Sequence, residues 1–461
     1  MAGEQQSSDA SEKLGLGRVI AYGSGDLAFN LYFTFCSLFL LYFYTDVLGI
    51  SPSVAGLIIM AALVWEGVTD PAMGIIASRT HSRFGSYRPY ILYGAPFLAL
   101  SFIAMFWPTG LQGPALALFC LVAHILFRTV YTVVNIPYVA LSARMTTDSM
   151  DRSRLAGARM MFAILTGLLL AAATLPMVTK FGGGEDGFLR VSQIYALIAT
   201  LVLLVCFART HEQANVADTN HSNLRDMMVA VRRNRPFLLL LAATLIGSIG
   251  YTMGGKALLY YMKYHAGNEN SITVGLTISL TAAALAMIPW VMVTRRTSKR
   301  AVWLCGVCLG STANILIFAF APKAGLFFYA LLAINGVGNA AFVLSFWSML
   351  PDTVEIGEWQ SGVRAEGALV GFLAFTQKVA LGLGTGMIGI LLDLAGYQPN
   401  RTQSPETIGY IQAMTGLAPA VAAIMAGAII AFYPLDNHTH NRLVRALSRR
   451  RTRSPLSASL L

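Results

Sequence analysis

Glu66 and Asp70 stand four residues apart inside an apolar run from about Pro52 to Ala77. On a helix that spacing sets both carboxylates on one face, about 6 Å apart. A carboxylate at the centre of a bilayer costs roughly 2.5–3.5 kcal/mol on insertion scales, so the pair needs a proton, a metal cation or a basic residue to neutralise it. Like charges at this separation favour uptake of a proton or a small cation, and hard carboxylate oxygens suit a hard cation. Thr132 offers a further neutral oxygen. Glu66, Asp70 and Thr132 therefore form a candidate site for a coupling cation such as Na⁺, Li⁺ or H⁺. Two acids on one turn are a poor way merely to pack a helix.

Other polar residues interrupt apolar runs at helical spacing. Asp26 and Asn30 share a face, with Thr34 a turn further. Arg128, Thr132 and Asn135 follow at i, i+4 and i+7, and His124 extends that stripe by a turn. Arg159, Lys256 and Lys378 add bases from elsewhere, and the acids concentrate in the amino-terminal half. Blander roles compete with ligand binding. Asn30, Thr132 and Asn135 could serve as interhelical hydrogen-bond glue, and Asp26 as a static partner of Arg128 or Lys378. Lys256 could snorkel to an interface, and His124 could simply pack. Trp347 could offer an aromatic face to a sugar ring or sit in the core.

The elements that position these residues follow from composition. Of 461 residues, 56% are hydrophobic and 12% charged, about half the charged share of a soluble domain, which indicates an integral membrane protein. Apolar segments of bilayer-spanning length lie near 18–44, 52–78, 90–108, 113–141, 155–178, 189–210, 237–264, 272–293, 300–321, 324–350, 366–393 and 408–433. These predict about twelve transmembrane helices. The formal charge of +11 reflects Lys and Arg crowded into alternate loops, not affinity for nucleic acid, and it predicts both termini in the cytoplasm. The segment from Met1 to Lys13 lacks signal-peptide features.

The expected organisation is an all-α membrane protein. A cytoplasmic tail (1–17) precedes an amino-terminal six-helix bundle (18–210), a cytoplasmic linker (211–236), a second six-helix bundle (237–433) and a basic tail (434–461). Six plus six around a central loop is the plan of a major facilitator transporter, with substrate bound between the bundles near the midplane. The five cysteines lie in apolar runs, and Cys305 and Cys308 read as two small buried side chains. Gly382-Leu-Gly-Thr-Gly386 reads as close helix packing, since no strand precedes it. The basic run Arg449 to Arg453 suits anionic lipid.

Several motifs carry a family resemblance across Tyr22 to Tyr397. They are Tyr22-Gly-Ser-Gly-Asp26 with Asn30, Tyr44-Thr-Asp-Val-Leu-Gly49, Asp70-Pro71 followed by Arg83-Phe-Gly-Ser-Tyr-Arg-Pro89, and Asn135-Ile-Pro-Tyr138. Asp352-Thr-Val-Glu-Ile-Gly-Glu-Trp359 then runs through Gly362-Val-Arg-Ala-Glu-Gly367 to Lys378. In these the chain resembles the glycoside-pentoside-hexuronide:cation symporters, the melibiose permease group of the major facilitator superfamily. The resemblance implies cation binding at Glu66 and Asp70 with Thr132 nearby, sugar binding at Arg159, and a lysine near the cation site at Lys378. Melibiose permease has aspartates where this chain has Glu66, Asn30 and Asn135, which leaves the sugar and the ion open.

The expected substrate set is Asp26, Asn30, Arg128, Asn135, Arg159, Trp347 and Lys378. The acidic stretch Asp352, Glu355, Glu358 and Glu366 breaks the basic pattern of its face. It is expected to pair with Arg83, Arg88, Arg144 or Arg152 as a cytoplasmic gate, effective only as a network. The sequence thus predicts symport of a sugar or glycoside with a monovalent cation across a bacterial inner membrane. It requires no cofactor beyond that cation and no nucleic acid. A lysolipid carrier of the same fold and a non-transporting sugar sensor are alternatives; an enzyme is not expected, because no nucleophile, metal cluster or phosphate loop is visible.

Overall fold

A computed structural model describes residues 14–146, 148–212, 231–266, 269–361 and 366–434. The expected tails up to Lys13 and from 435 onward, the linker from 213 to 230, and the motif segment 362–365 lie outside the described residues.

Among the described residues, twelve long helices follow in order: α1 (Leu16–Val47), α2 (Pro52–Arg79), α3 (Arg88–Ala104), α4 (Gly113–Met145), α5 (Ser149–Lys180), α6 (Gly184–Arg209), α7 (Arg235–Ala266), α8 (Glu269–Arg296), α9 (Lys299–Phe320), α10 (Leu326–Ser361), α11 (Glu366–Leu394) and α12 (Pro405–Ala431). α1, α7 and α12 each include one π turn, at Phe43–Val47, Met262–Ala266 and Ala413–Leu417. Eleven of the twelve are long and apolar enough to cross a membrane. The other, α3, has 17 residues and rises about 26 Å, close to the hydrocarbon thickness.

Local chemistry sets the helix starts. Pro52 and Pro114 open α2 and α4, where a missing N–H costs nothing. Asp148, Asn234, Ser298 and Ser404 cap α5, α7, α9 and α12 by accepting from backbone N–H groups three residues on. The expected boundaries shift by up to six residues elsewhere, as at Ser149 where α5 starts, but most at 350: α10 continues through Pro351 to Ser361, so Asp352, Glu355 and Glu358 ride on a helix that projects beyond the apolar span.

α1 to α6 pack among themselves, as do α7 to α12, and the halves meet chiefly along α2 with α11 and α5 with α8. α4 shows how one helix serves both lipid and core. Leu118, Val122 and Leu126 are exposed, whereas Cys120, His124, Phe127 and Arg128 are buried. In the first half, Phe35 of α1 meets Phe102, Phe106, Phe188 and Tyr195 at 5.2–6.2 Å between ring centres, joining α1 to α3 and α6. Cys305 and Cys308 are exposed on α9, contrary to the buried reading. On an apolar membrane helix such side chains face lipid as readily as core.

Glycines of α2 and α11 set the seam between the halves. A Cβ at Gly389 would lie 2.2 Å from the Pro52 carbonyl oxygen, and one at Gly56 would lie 2.8 Å from the Thr385 carbonyl oxygen. Only glycine permits this backbone approach. It brings α11 onto α2 and sets Lys378 opposite the acid pair.

A charge cluster between the two halves

Glu66 is fully buried, and its two oxygens go to different helices. Oε2 accepts from Arg128 Nη1 of α4 at 2.8 Å, and Oε1 accepts from Lys378 Nζ of α11 at 2.8 Å. Asp70 accepts from the same ammonium through Oδ2, and from Thr132 Oγ1 through Oδ1 at 2.8 Å. Two carboxylates and two cations thus balance, as buried charge requires. Arg128 is 3% exposed, with its guanidinium carbon 5.4 Å from the Phe33 ring centre and 5.7 Å from that of Phe127. Arg128 Nε also donates to His124 Nε2 at 3.1 Å. An arginine only donates, so His124 accepts there and is neutral. Pro71, next to Asp70, leaves the Gly67 carbonyl without its intrahelical donor and loosens α2 at the site.

Asp26 forms the second cluster and pairs with Arg159 of α5, not with Arg128 or Lys378. The single Tyr138 Oη proton is shared between the Tyr22 carbonyl at 2.7 Å and Asp26 Oδ2 at 3.2 Å, while Tyr22 Oη donates back to the Tyr138 carbonyl at 3.1 Å. The Tyr-Gly-Ser-Gly-Asp motif explains itself here. A Cβ at Gly23 would meet Ala158 Cβ at 2.6 Å, and one at Gly25 would meet the Tyr138 ring at 2.4 Å. Both glycines let neighbouring helices close on α1 so that Arg159 reaches Asp26. The Arg159 side chain stays 27% exposed, so a ligand can reach it.

Asn30 donates to the Asp26 carbonyl at 2.8 Å and accepts from Thr34 at 3.2 Å. Asn135 is half-buried and has no hydrogen-bond partner among the described residues. Arg128 and Lys378, expected with the substrate set, lie with the acids instead. Trp347 is 41% exposed beside Phe346, which rules out the core position. Lys256 does not snorkel: it is 6% exposed and donates to the Ser37 carbonyl at 2.7 Å.

The expected gate residues cluster at the arginine-rich end. Arg88 donates to the Phe207 carbonyl at 2.8 Å, and Glu212 accepts from the N–H groups of Ser86, Tyr87 and Arg88. Arg83 lies over Phe84, and Arg144 lies 5.9 Å from the Tyr87 ring centre. Asp352 pairs with Lys299 at 2.7 Å, and Glu355 and Glu358 are half-buried. Arg88 and Asp352 thus each have partners in their own half.

The opposite end is closed by a network that the sequence reading did not find. Asp46, at the end of α1, accepts from Lys263 at 2.8 Å, Tyr264 at 2.5 Å and Tyr397 at 2.8 Å, and Asn400 donates to its carbonyl at 2.6 Å. Ser53 of α2 also donates to Asp393 of α11. Burial, with the Asp46 carboxylate close by, pushes the Tyr397 phenol up, so Tyr397 stays protonated and donates. The signal was present in Tyr44-Thr-Asp-Val-Leu-Gly49, an acid at a span's end, but its partners come from more than two hundred residues away.

Comparison with known proteins agrees with this architecture. The family model described as MFS/sugar transport protein matches residues 21–437. The chain is 28% identical to the isoprimeverose transporter of Lactiplantibacillus pentosus over 424 residues, 90% of this chain and 88% of that protein. It is 28% identical to the inner membrane symporter YicJ of Escherichia coli (strain K12) over 455 residues, 96% of this chain and 97% of the relative. Among solved structures, the nucleoside transporter NupG superposes with a TM-score of 0.67 over 92% of this chain and 100% of that one, at 15% identity, a likeness of fold alone. The all-α transporter architecture and the motifs on α1, α2, α4 and α10 thus have one explanation: the chain belongs to the MFS/sugar transport protein family and is like the glycoside-pentoside-hexuronide:cation symporters.

Proposed function

We propose that the chain moves a sugar or glycoside across the bacterial inner membrane together with Na⁺, Li⁺ or H⁺, by rocking its two halves about the charge cluster. Glu66 and Asp70 bind the cation with Thr132 adding an oxygen, while Asp26, Asn30, Asn135 and Arg159 hold sugar hydroxyls. Trp347 offers an aromatic face. The arginine-rich loops lie in the cytoplasm, so the Asp46 network closes the external side, and Arg83, Arg88 and Arg144 meet Asp352, Glu355 and Glu358 when the cytoplasmic side closes.

One observation carries this reading: Lys378 reaches from one half to both acids of the other. The ammonium stands where a monovalent cation would be held, and it balances the acids in the cation's place. A cation arriving at Asp70 and Thr132 competes with Lys378, so its occupancy changes a tie between the halves. That link gives the differential interaction alternating access needs. Arg128 holds Glu66 throughout, which keeps one acid fixed while Asp70 exchanges partners.

A panel of labelled pentosides, glycosides and uronides, offered to proteoliposomes under imposed Na⁺ or H⁺ gradients, tests the function. Accumulation of at least one sugar under one gradient is expected; failure of all of them under both would overturn it.

A further inference from the structure

Each of the cations Arg128, Arg159 and Lys378 faces a carboxylate: Glu66, Asp26, and Glu66 with Asp70. Lys256 differs. It is 6% exposed, ten residues before the end of α7, and among the described residues it pairs with no acid and hydrogen-bonds only the Ser37 carbonyl. A buried ammonium held by one carbonyl keeps a net positive charge in the protein, which an incoming coupling cation would increase. Such a charge calls for an anion.

The space beside Lys256 fits one. A cavity of about 140 Å³ lies between Lys256, Ser37 and the amides of Asn314, Asn335 and Asn339, room for several waters at about 30 Å³ each. The amides form a chain: Asn339 Nδ2 donates to Asn335 Oδ1 at 2.7 Å, and Asn335 Nδ2 donates to Asn314 Oδ1 at 2.6 Å. Thr252, 7% exposed, lines the same cavity with a hydroxyl that has no partner among the described residues. The cavity adjoins the site already described. Ser37 lies on the stripe of α1 that carries Asp26 and Asn30, three turns and about 16 Å along from Asp26, and Leu381, one turn from Lys378, forms another wall.

We propose that this cavity is a subsite for an anionic group on the transported sugar, a carboxylate or sulfonate, bound by the Lys256 ammonium and the surrounding amides. The preferred cargo is then an acidic sugar whose hydroxyls face Asn30 and Asn135 while its oxyanion faces Lys256. The inference rests on the symporter reading and narrows its substrate class. The oxyanion cancels the charge of Lys256, so loaded carrier and cation move with less uncompensated charge in the membrane.

The test compares matched ligands that differ only at C6: 4-nitrophenyl β-D-glucuronide against the glucoside, and the β-D-galacturonide against the galactoside, titrated onto the full-length protein in nanodiscs. The acid of at least one pair should bind about tenfold or more tightly than its neutral partner. Lys256→Gln should erase that preference and leave neutral-sugar binding within about twofold, while Lys256→Arg should retain part of it. Equal binding of acid and neutral partners by the native protein, or an undiminished preference in Lys256→Gln, would overturn the subsite and leave sugar symport standing. If Lys256→Gln loses both ligands, the proposal holds only where Lys256→Arg restores the acid preference; loss in both variants marks a purely structural lysine. Absence of binding to every ligand of both pairs, joined to absence of any gradient-driven uptake, would overturn the symporter reading as well.

Discussion

Lys378 lies 2.8 Å from Glu66 and also pairs with Asp70, so a single ammonium on α11 links both acids of α2 across the seam between the halves. Removing that ammonium unbalances the site in a defined direction. Lys378→Gln leaves two carboxylates against Arg128 alone, and breaking a buried pair costs about 3–5 kcal/mol. The variant should melt at lower temperature in cation-free buffer. It should also regain stability on addition of the coupling cation, by up to about 2.7 kcal/mol at a hundredfold excess over Kd. Thermal melts with and without Na⁺, Li⁺ and at acid pH check this, and a melting point insensitive to all three would count against cation binding at the pair.

Glu66 is held from two sides, which separates charge from reach. Glu66→Gln leaves Arg128, 3% exposed, without a carboxylate, and should lower stability by about 3–5 kcal/mol. Glu66→Asp keeps the charge but shortens the side chain by one methylene, so it cannot hold both Arg128 and Lys378 in the present geometry. It should fold with a smaller loss and alter the relative potency of Na⁺, Li⁺ and H⁺. Denaturation midpoints and ion-competition curves distinguish the two effects.

Arg159 offers a planar fork to Asp26 while remaining partly open to ligand. Arg159→Ala should weaken sugar binding at least tenfold, about 1.4 kcal/mol. Arg159→Lys should recover little, because a point charge does not reproduce the fork. Equilibrium sugar binding measures both, and unchanged affinity in the alanine variant would remove Arg159 from the sugar site.

The Asp46 network should decide how tightly the arginine-poor end closes. Asp46→Asn removes the charge paired with Lys263 at 2.8 Å and weakens the hydrogen bonds its carboxylate accepts from Thr45, Tyr264 and Tyr397. A shift of about 1–3 kcal/mol towards opening at that end is expected, five- to 150-fold in population. Spin labels at Ser51 and Arg401, in a background with the native cysteines replaced, should report a longer distance population in the variant. An unchanged distribution would show that the network does not control closure.

Much of this was legible in the residues because membrane burial makes each polar side chain conspicuous. Glu66, Asp70, Thr132 and the twelve-helix plan could be read from spacing and composition. Partner choice could not, because it depends on which helices touch. Asp26 was expected against Arg128 or Lys378, yet Gly23 lets α5 come close enough for Arg159 instead, while Gly25 admits the Tyr138 ring of α4. Lys256 read as a snorkelling residue because nothing local shows that Ser37 of α1 covers it. Asn335 and Asn339 carried the four-residue signature of a shared face, but their partner Asn314 lies on another helix. The extension of α10 was hidden by Pro351, which bends a helix as readily as it ends one.

The central claim is that Asp70 makes sugar movement depend on the cation. Proteoliposomes holding Asp70→Asn, compared with the native protein, test it in two assays on the same preparation: gradient-driven accumulation and sugar-for-sugar counterflow. The account predicts that the native protein performs both, whereas the variant keeps measurable counterflow and loses accumulation. Undiminished cation-driven accumulation by Asp70→Asn would contradict it.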